Sequence, residues 1–380
     1  MRFKVTRQAW TVSFVLAAAI RAPADSPFAA TWVDFLPAPG QFVNDPLFND
    51  PDKALGPPVG GGTSLPDNSS LVSLGGFGGS ITLGFDHTVM DDAANPRGLD
   101  AIVFGNASWV SGDSNRHWAE CGYIQISRDL NGNGLADDPW YLIPGSHITD
   151  PAEQWETQTW DDDVGDETYP PENPNWIPPE QSGTWTTQGH RLPAAVFDVQ
   201  VLENPNGLDA TEEGIFGYAD YAPTLILGDL DGDNQVDDLD MTAEGFYTVP
   251  DDPFEVGITP GAGGGDAFDI AWAIDAATGQ PADLDGFDFV RITNGVNHVD
   301  PLFGEVSPEI DAVADVAPGL MGDGDWDGDL DLDDLIIFNE CNTGPDGALE
   351  AFGCRVMDFD GDDDVDLRDF GQWQIAFTEL

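Results

Sequence analysis

Aspartate is the residue that most restricts how this chain can fold. The 380 residues carry 70 acidic and 12 basic side chains, for a formal net charge of −58, and 16 of the acids are Glu, leaving 70 − 16 = 54 Asp. Asp favours turns, caps and ion-binding loops over helix interiors. Dense carboxylates repel one another, so the charge favours cations as partners and argues against nucleic acid or an anionic membrane surface. Adaptation to high salt is a compatible alternative, since Lys4 and Lys53 are the only lysines.

The densest acidic run, GDGDWDGDLDLDD from Gly322 to Asp334, can be aligned with the fixed spacing of ligand positions in a calcium loop, which we call its frame. An EF-hand-type loop places oxygen ligands at positions 1, 3, 5, 7, 9 and 12, with glycine favoured at 6 and the backbone carbonyl used at 7. Starting the frame at Asp325 or Asp327 puts Ile336 or Phe338 at position 12, where neither can bind a cation. Only a start at Asp323 satisfies every position. The predicted calcium ligands are Asp323, Asp325, Asp327, Asp329, Asp331 and Asp334.

The same frame recurs thirty-five residues later, which a random acidic tract has no reason to do. Position 6 is Asp363, at some cost because a left-handed turn prefers glycine. Each loop leads into an apolar pattern with helical spacing, Leu332, Leu335 and Ile336 in the first case and Leu367, Phe370 and Phe377, with Trp373 nearby, in the second. The predicted ligands of this second loop are Asp358, Asp360, Asp362, Asp364, Asp366 and Asp369.

Two further loops fit the frame upstream. In GDLDGDNQVDDLD, Asn234 stands at position 6, and no apolar helix face follows, so we expect a calcium loop between strands. Its predicted ligands are Asp229, Asp231, Asp233, Gln235, Asp237 and Asp240. The run DLNGNGLADDPW matches the first half of such a loop, with Asp129, Asn131, Asn133, and Asp137 or Asp138 as candidate ligands. An ordinary Asn-Gly hairpin turn is the alternative for this fourth loop.

The central region is predicted to be mainly β. Short runs rich in β-branched and aromatic residues alternate with Gly, Pro, Asn and Asp, which is typical of a jelly-roll-like β-sandwich. The predicted strands lie in Ser70–Asp86, Leu99–Trp109, Gly122–Ser127, Ala194–Leu202 and Phe287–Thr293. A segment at 151–188 carries Trp155, Trp160, Trp176 and Trp185, which we interpret either as packed side chains or as a platform for sugar rings.

The ends of the chain suggest export and a small C-terminal module. Basic residues precede the apolar run Ala9–Ile20, and Ala22-Pro-Ala24 resembles a cleavage site, so we expect residues 1–24 to be a signal peptide and the mature protein to be secreted or on the cell surface. No later run is apolar enough for a membrane helix. Cys341 and Cys354 could close a disulfide loop, whereas Cys121 is expected to be a buried thiol. We expect a β domain over 30–316 and a helical calcium-binding module over 320–380.

The two C-terminal loops resemble dockerin type I modules, in which two calcium loops each precede a helix. The motifs are DGDWDGDLDLDDL and DFDGDDDVDLRDF, and the resemblance covers Gly322–Leu380. It implies an EF-hand-like α-helical module. Dockerins carry cohesin-recognising residues, often Ser/Thr pairs, at positions 10 and 11. Here these positions are Leu332-Asp333 and Leu367-Arg368, a departure that argues against a cohesin-like partner.

The region from Asp34 to Asp315 resembles bacterial cell-surface proteins of poorly defined function. The resemblance implies a jelly-roll-like surface domain and no particular reaction. The motifs that carry it are ALGPPVGGG, VSLGGFGGSITLGFDHTV, DAIVFGNA, YIQISRDLNGNGLADDPWYLIPGS, FDIAWAID, DGFDFVRITNGVN and GEVSPEIDAV.

Catalytic signatures are missing from the sequence: it has no GxSxG, no Cys/His pairing and no Gly-rich phosphate loop. A carboxylate pair for glycoside hydrolysis cannot be chosen among so many acids. The sequence therefore predicts a calcium-binding, non-catalytic extracellular protein that binds glycan or another surface protein. The alternative is a polysaccharide-degrading enzyme or accessory component attached through the dockerin-like module.

Overall fold

A computed structural model of the chain describes residues 26–92, 94–146, 148, 155–161, 184–192, 202–203, 215–297, 299–300, 304–317, 321–324, 330–332, 334–345, 347, 354–359 and 364–379. The predicted signal peptide, Trp176 and the loop residues Asp325, Asp327, Asp329, Asp360 and Asp362 lie outside these ranges, as does the predicted strand at Ala194–Leu202 except for its last residue.

The fold is mainly β, as the sequence predicts. The strands are β1 (Thr31–Leu36), β2 (Val72–Ser73), β3 (Ser80–Met90), β4 (Ala101–Gly105), β5 (Ser108–Val110), β6 (Asp113–Trp118), β7 (Gly122–Ser127), β8 (Trp140–Leu142), β9 (Trp155–Asp161), β10 (Thr184–His190), β11 (Leu202–Glu203), β12 (Tyr218–Ala219), β13 (Asp266–Phe268), β14 (Gly286–Asn294), β15 (Val299–Asp300), β16 (Gly304–Glu305) and β17 (Glu309–Asp315). The α-helices are α1 (Ala243–Phe246), α2 (Asp334–Cys341) and α3 (Leu367–Glu379). The predicted strand segments within the described ranges coincide with β2 to β5, β7 and β14.

Several antiparallel sheets organise these strands. The largest has the order β1-β3-β14-β7-β12, with β8 also paired to β7, and a second has the order β13-β4-β17-β2. Smaller sheets are formed by β11-β6-β5, β10-β9 and β15-β16. The central strands β14 and β7 are buried along almost their whole length, with Asp288, Arg291 and Gln125 as their less buried positions.

One apolar core joins the two larger sheets. Ile81 of β3, Ile124 of β7 and Val290 of β14 belong to the same buried cluster as Val103 of β4 and Val313 of β17. Burial of such side chains stabilises each by roughly 2 kcal/mol relative to exposure. Candidate metal-binding acidic residues lie on strand ends and connecting loops around this core.

The hairpin of β9 and β10 contains three of the tryptophans from the predicted platform. Trp160 and Trp185 are cross-strand partners in the backbone register, and Trp155 pairs with His190. Whether these residues form a sugar-binding platform stays a prediction.

The C-terminal segment has an apolar cluster of its own. Phe338 and Cys341 of α2 and Trp373 of α3 are buried in it, together with Val356 and Val365. The sequence placed Leu332 and Ile336 on one helix face with Leu335, but both are exposed. The buried stripe of α2 instead runs through Asp334, Phe338 and Cys341, because Asp334 is drawn inward by the hydrogen bonds of the preceding loop.

Candidate metal sites and acidic clusters

The loop at 229–240 adopts the turn that its sequence frame requires. Asp229, at position 1, is fully buried, and its carboxylate accepts hydrogen bonds from the backbone N–H of Gly232 (2.9 Å) and of Asn234 (2.9 Å). Asn234, at position 6, has φ of 68°, the left-handed conformation expected there. The N–H of Leu230 donates to Oδ2 of Asp237 (3.0 Å), which brings position 9 back to the start of the loop.

Three carboxylates of this loop converge. One oxygen each from Asp229, Asp231 and Asp237 lie within 4.8 Å of one another. Burial raises the pKa of Asp229 above its ordinary value. Asp233 and Asp240 stand outside this group, and Asp233 accepts from the N–H (2.8 Å) and the Nε2 (2.8 Å) of Gln235. A cation bound between the three converging carboxylates would relieve their mutual repulsion.

A short helix follows this loop, where the sequence predicted none. Thr242 caps α1 by accepting from the N–H of Gly245 (3.0 Å), and Phe246 and Tyr247 are buried against the core. The sequence did not predict this helix because a single turn is too short to show a helical repeat of apolar residues. Its burial rests on tertiary packing.

The loop at 129–138 shares with the loop at 229–240 the hydrogen bond from the N–H at position 6 to the aspartate at position 1. Asp129 accepts from the N–H of Asn133 (3.1 Å) and of Gly134 (2.7 Å), and the N–H of Leu130 donates to Oδ2 of Asp138 (3.1 Å). Gly134 has φ of 71° at position 6. These backbone hydrogen bonds, that from Gly134 foremost, hold the pKa of Asp129 below its ordinary value.

This loop is longer than the Asn-Gly hairpin turn that was its alternative. Ser127 of β7 pairs with Trp140 of β8, so residues 128–139 form the whole connection. Within it, the amide Nδ2 of Asn131 donates to Asp137 (3.3 Å) and Asp138 (3.2 Å), and Nδ2 of Asn133 donates to both oxygens of Asp137 (3.2 Å each). Among the described residues, these acids do not form a group of three converging carboxylates.

The two C-terminal loops share one hydrogen-bond pattern at position 12. Asp334 accepts from the N–H of Gly324 (2.6 Å) and of Asp331 (2.6 Å), the residues at positions 2 and 9. Asp369 accepts from the N–H of Phe359 (2.8 Å) and of Asp366 (2.8 Å), which occupy the same two positions. Both Asp334 and Asp369 are almost fully buried, so each loop closes around its last carboxylate.

Asp364, Asp366 and Asp369 form a second converging group. One oxygen from each lies within 4.8 Å of the others, and all three are buried. The frame predicts that position 7 contributes its backbone carbonyl, yet the carboxylate of Asp364 is the group that converges. In the first C-terminal loop, Asp323 is also buried. Asp331 is exposed, and its N–H donates to Asp334.

A disulfide links Cys341 at the end of α2 to Cys354, as the sequence suggested, with the Cα atoms 5.4 Å apart. Both cysteines pack in the same apolar cluster as Trp373. Cys121 is a buried free thiol, and burial raises its pKa. The disulfide ties the helix after the first loop to the segment that enters the second.

Sequence reasoning missed a third acidic group, whose members adjoin strand ends of the two larger sheets. Asp91, Asp100 and Asp269 each place an oxygen within 4.8 Å of the other two. Asp100 is fully buried and accepts from the N–H of Ile270 (2.9 Å) and from Nδ2 of Asn95 (2.9 Å). Burial raises its pKa to about 8. Asp269 is distant in sequence from Asp91 and Asp100, and the three follow no frame, so only the fold brings them together.

Comparison with known proteins leaves both resemblances as predictions. The chain matches no protein-family model, and no curated protein is similar to it. No helix in the described ranges is long and apolar enough to cross a membrane.

Proposed function

We propose that the chain is a calcium-binding, non-catalytic protein of the cell surface or extracellular space. The observation that carries this proposal is the convergence of Asp229, Asp231 and Asp237, at positions 1, 3 and 9 of a frame derived without the structure. The buried group around Asp369 supports it at the C-terminus. Oxygen-only ligand sets in flexible loops are typical of calcium sites.

The finer architecture belongs to the same proposal. We infer a jelly-roll-like β-sandwich for the central region and a dockerin-like module for the end of the chain. The shared core of the two larger sheets supports the first inference, and the matching hydrogen bonds of Asp334 and Asp369 support the second. In this proposal the β region binds glycan or another surface protein, and a glycan array with and without calcium tests that part.

Calcium removal tests the central claim. Ions present at a hundred times their dissociation constant stabilise a folded site by about 2.7 kcal/mol. We therefore expect EGTA to lower the melting temperature measured by circular dichroism, and calorimetric titration of the stripped protein to recover calcium binding. Asp369→Asn and Asp229→Asn should each weaken one site at least about tenfold.

Glu340→Gln provides the matched control, since Glu340 is exposed on α2 and lies outside every loop frame. It removes one charge without touching a candidate ligand, so calcium binding should be unchanged. An identical melt in calcium and in EGTA would refute the proposal.

A further inference from the structure

A pocket of about 580 Å³ lies beside the start of β17, and none of the candidate calcium ligands lines it. Its volume falls in the range of sites for small molecules, roughly 300–1,000 Å³. Phe42, Phe48 and Trp118 form apolar walls, with the Phe42 and Phe48 ring centroids 4.9 Å apart. Phe42 has φ of 58°, an unusual conformation for a large residue, and such strain is found preferentially at functional sites.

Two carboxyl groups lie on the lining of this pocket. Glu309, only 3% exposed, and Glu120 are neighbours on this lining, where burial raises the pKa of each. Nε2 of Gln41 donates to Oε1 of Glu120 (3.1 Å). Behind them, Asp220 accepts from the backbone N–H of Glu309 (3.0 Å) and of Asn106 (2.8 Å). The acidic pair is therefore held in position by the backbone of β17 and its neighbours.

One acceptor in this arrangement is unused. Oε1 of Glu309 is buried and accepts no hydrogen bond. A buried acceptor without a donor costs roughly 1–3 kcal/mol, so the pocket is suited to a ligand that brings a donor. None of the described residues that line the pocket is basic, so its walls bring no positive charge to the two carboxyl groups.

The residues that line the pocket favour one class of ligand over others. An anion would be repelled by the acids, and among the described residues these acids are not one of the groups whose oxygens converge as a metal ion requires. Aromatic faces and carboxylates together are the recognised surroundings of an organic cation.

We propose that this pocket binds a small organic cation, an ammonium group on a flat apolar body. The ammonium donates to Oε1 of Glu309 and to the carboxylate of Glu120, and the apolar body lies against Phe42, Phe48 and Trp118. The inference is independent of calcium binding.

Calorimetric titration of the full chain in calcium-containing buffer tests the proposal. The probes are 2-phenylethylammonium and its neutral counterpart 2-phenylethanol, with cellobiose as a sugar. We expect the ammonium to bind at least about tenfold more tightly than the alcohol, because charge complementarity separates the two. Equal affinity for the two probes, no binding of the ammonium, or its displacement by cellobiose would each overturn the proposal.

Variants locate the binding. Glu309→Gln and Glu120→Gln should weaken ammonium binding at least about tenfold. Trp118→Ala should weaken it several-fold, and this change is tolerable because Trp118 is 41% exposed. Asp113→Asn, on the exposed start of the same strand β6, removes one charge away from the pocket and should leave the affinity unchanged. Ammonium binding that survives in Trp118→Ala and in both Glu variants would refute the assignment.

The pH dependence of ammonium affinity provides a second test. Burial raises the pKa of both Glu120 and Glu309, to about 8 for Glu120, so the pair retains a proton near neutrality. Asp220 and the buried thiol of Cys121 are the other described titratable groups that interact with them. Because that proton competes with the ammonium, affinity should rise as the pH approaches 8, and a falling affinity would contradict the site. Calcium content, measured on the same variants, should not change, which separates failure of this proposal from failure of the calcium proposal.

Discussion

Single residues of the aspartate loops differ in whether side chain or backbone faces the loop interior. At position 1, Asp229 and Asp129 both use their carboxylates to accept from the N–H at position 6. At position 7, Asp364 presents its carboxylate where the frame expects a carbonyl. The spacing of oxygens along the chain is thus visible in the sequence, whereas the choice of atom depends on rotamers and burial.

At Asn234, two substitutions can separate the energetic effect of the backbone conformation from that of the side-chain hydrogen bonds. Asn234 has φ of 68°, and its Oδ1 accepts from the N–H of Thr63 (2.7 Å). Asn234→Gly loses the side-chain hydrogen bonds to Thr63 and Ser64, while Asn234→Ala also incurs the left-handed backbone cost of about 1 kcal/mol more. The free energy of unfolding in urea and EGTA should therefore fall by at least about 1 kcal/mol for Gly and by about 1 kcal/mol more for Ala.

Leu239→Ala is the control for this pair, because Leu239 is 89% exposed in the same loop and its removal should be nearly neutral. An alanine variant as stable as the glycine variant would show that the left-handed turn is not retained in solution.

Among the elements, α2 and α3 depend on the loops that precede them. Each begins beside a buried aspartate, Asp334 or Asp369, whose negative charge near a helix N-terminus is favourable. Eight residues, the length of α2, are too few for a stable isolated helix. Packing of Phe338 against Phe370, with ring centroids 5.5 Å apart, contributes stability that the helices do not have in isolation.

The disulfide supports the same two elements. Cys341 and Cys354 are separated by 13 positions, and closing a loop of about 15 residues restricts the unfolded chain by about 3 kcal/mol. We expect Cys341→Ser/Cys354→Ser to lower the free energy of unfolding of the C-terminal segment by about that amount, as followed by circular dichroism in denaturant. Reductant should destabilise the native chain in the same way. It should have no effect on the double variant, in which Cys121 is already reduced, and any further loss there would contradict the pairing.

At the scale of the whole molecule, buried carboxyl groups make stability depend on pH. Burial raises the pKa of Asp100 and of Asp311 to about 8, and that of Asp251 to about 6. A group with a raised pKa binds its proton more tightly in the folded state, so its contribution is complete below the unfolded pKa and lost as the pH rises through the folded pKa. In EGTA, the melting temperature should therefore fall between about pH 5 and about pH 8.

A high salt concentration distinguishes the titration of buried carboxyl groups from repulsion between surface carboxylates. At about 1 M salt, repulsion between surface carboxylates is screened over roughly 3 Å, while buried groups are screened much less. The fall in melting temperature should persist in high salt. A melting temperature that is constant or rises with pH under those conditions would show that the buried acids do not hold their protons.

The sequence by itself determined the local features, and the tertiary structure decided the distant ones. Turn residues and β-branched runs predicted the strands, and the frame starting at Asp229 predicted a loop whose carboxylates do converge, because both depend on neighbours along the chain. The grouping of Asp91, Asp100 and Asp269, and the proximity of Glu120 to Glu309, had no sequence signal. These residues meet only because antiparallel pairing carries distant strand ends to the same place, and burial there, not composition, decides which carboxyl groups retain a proton.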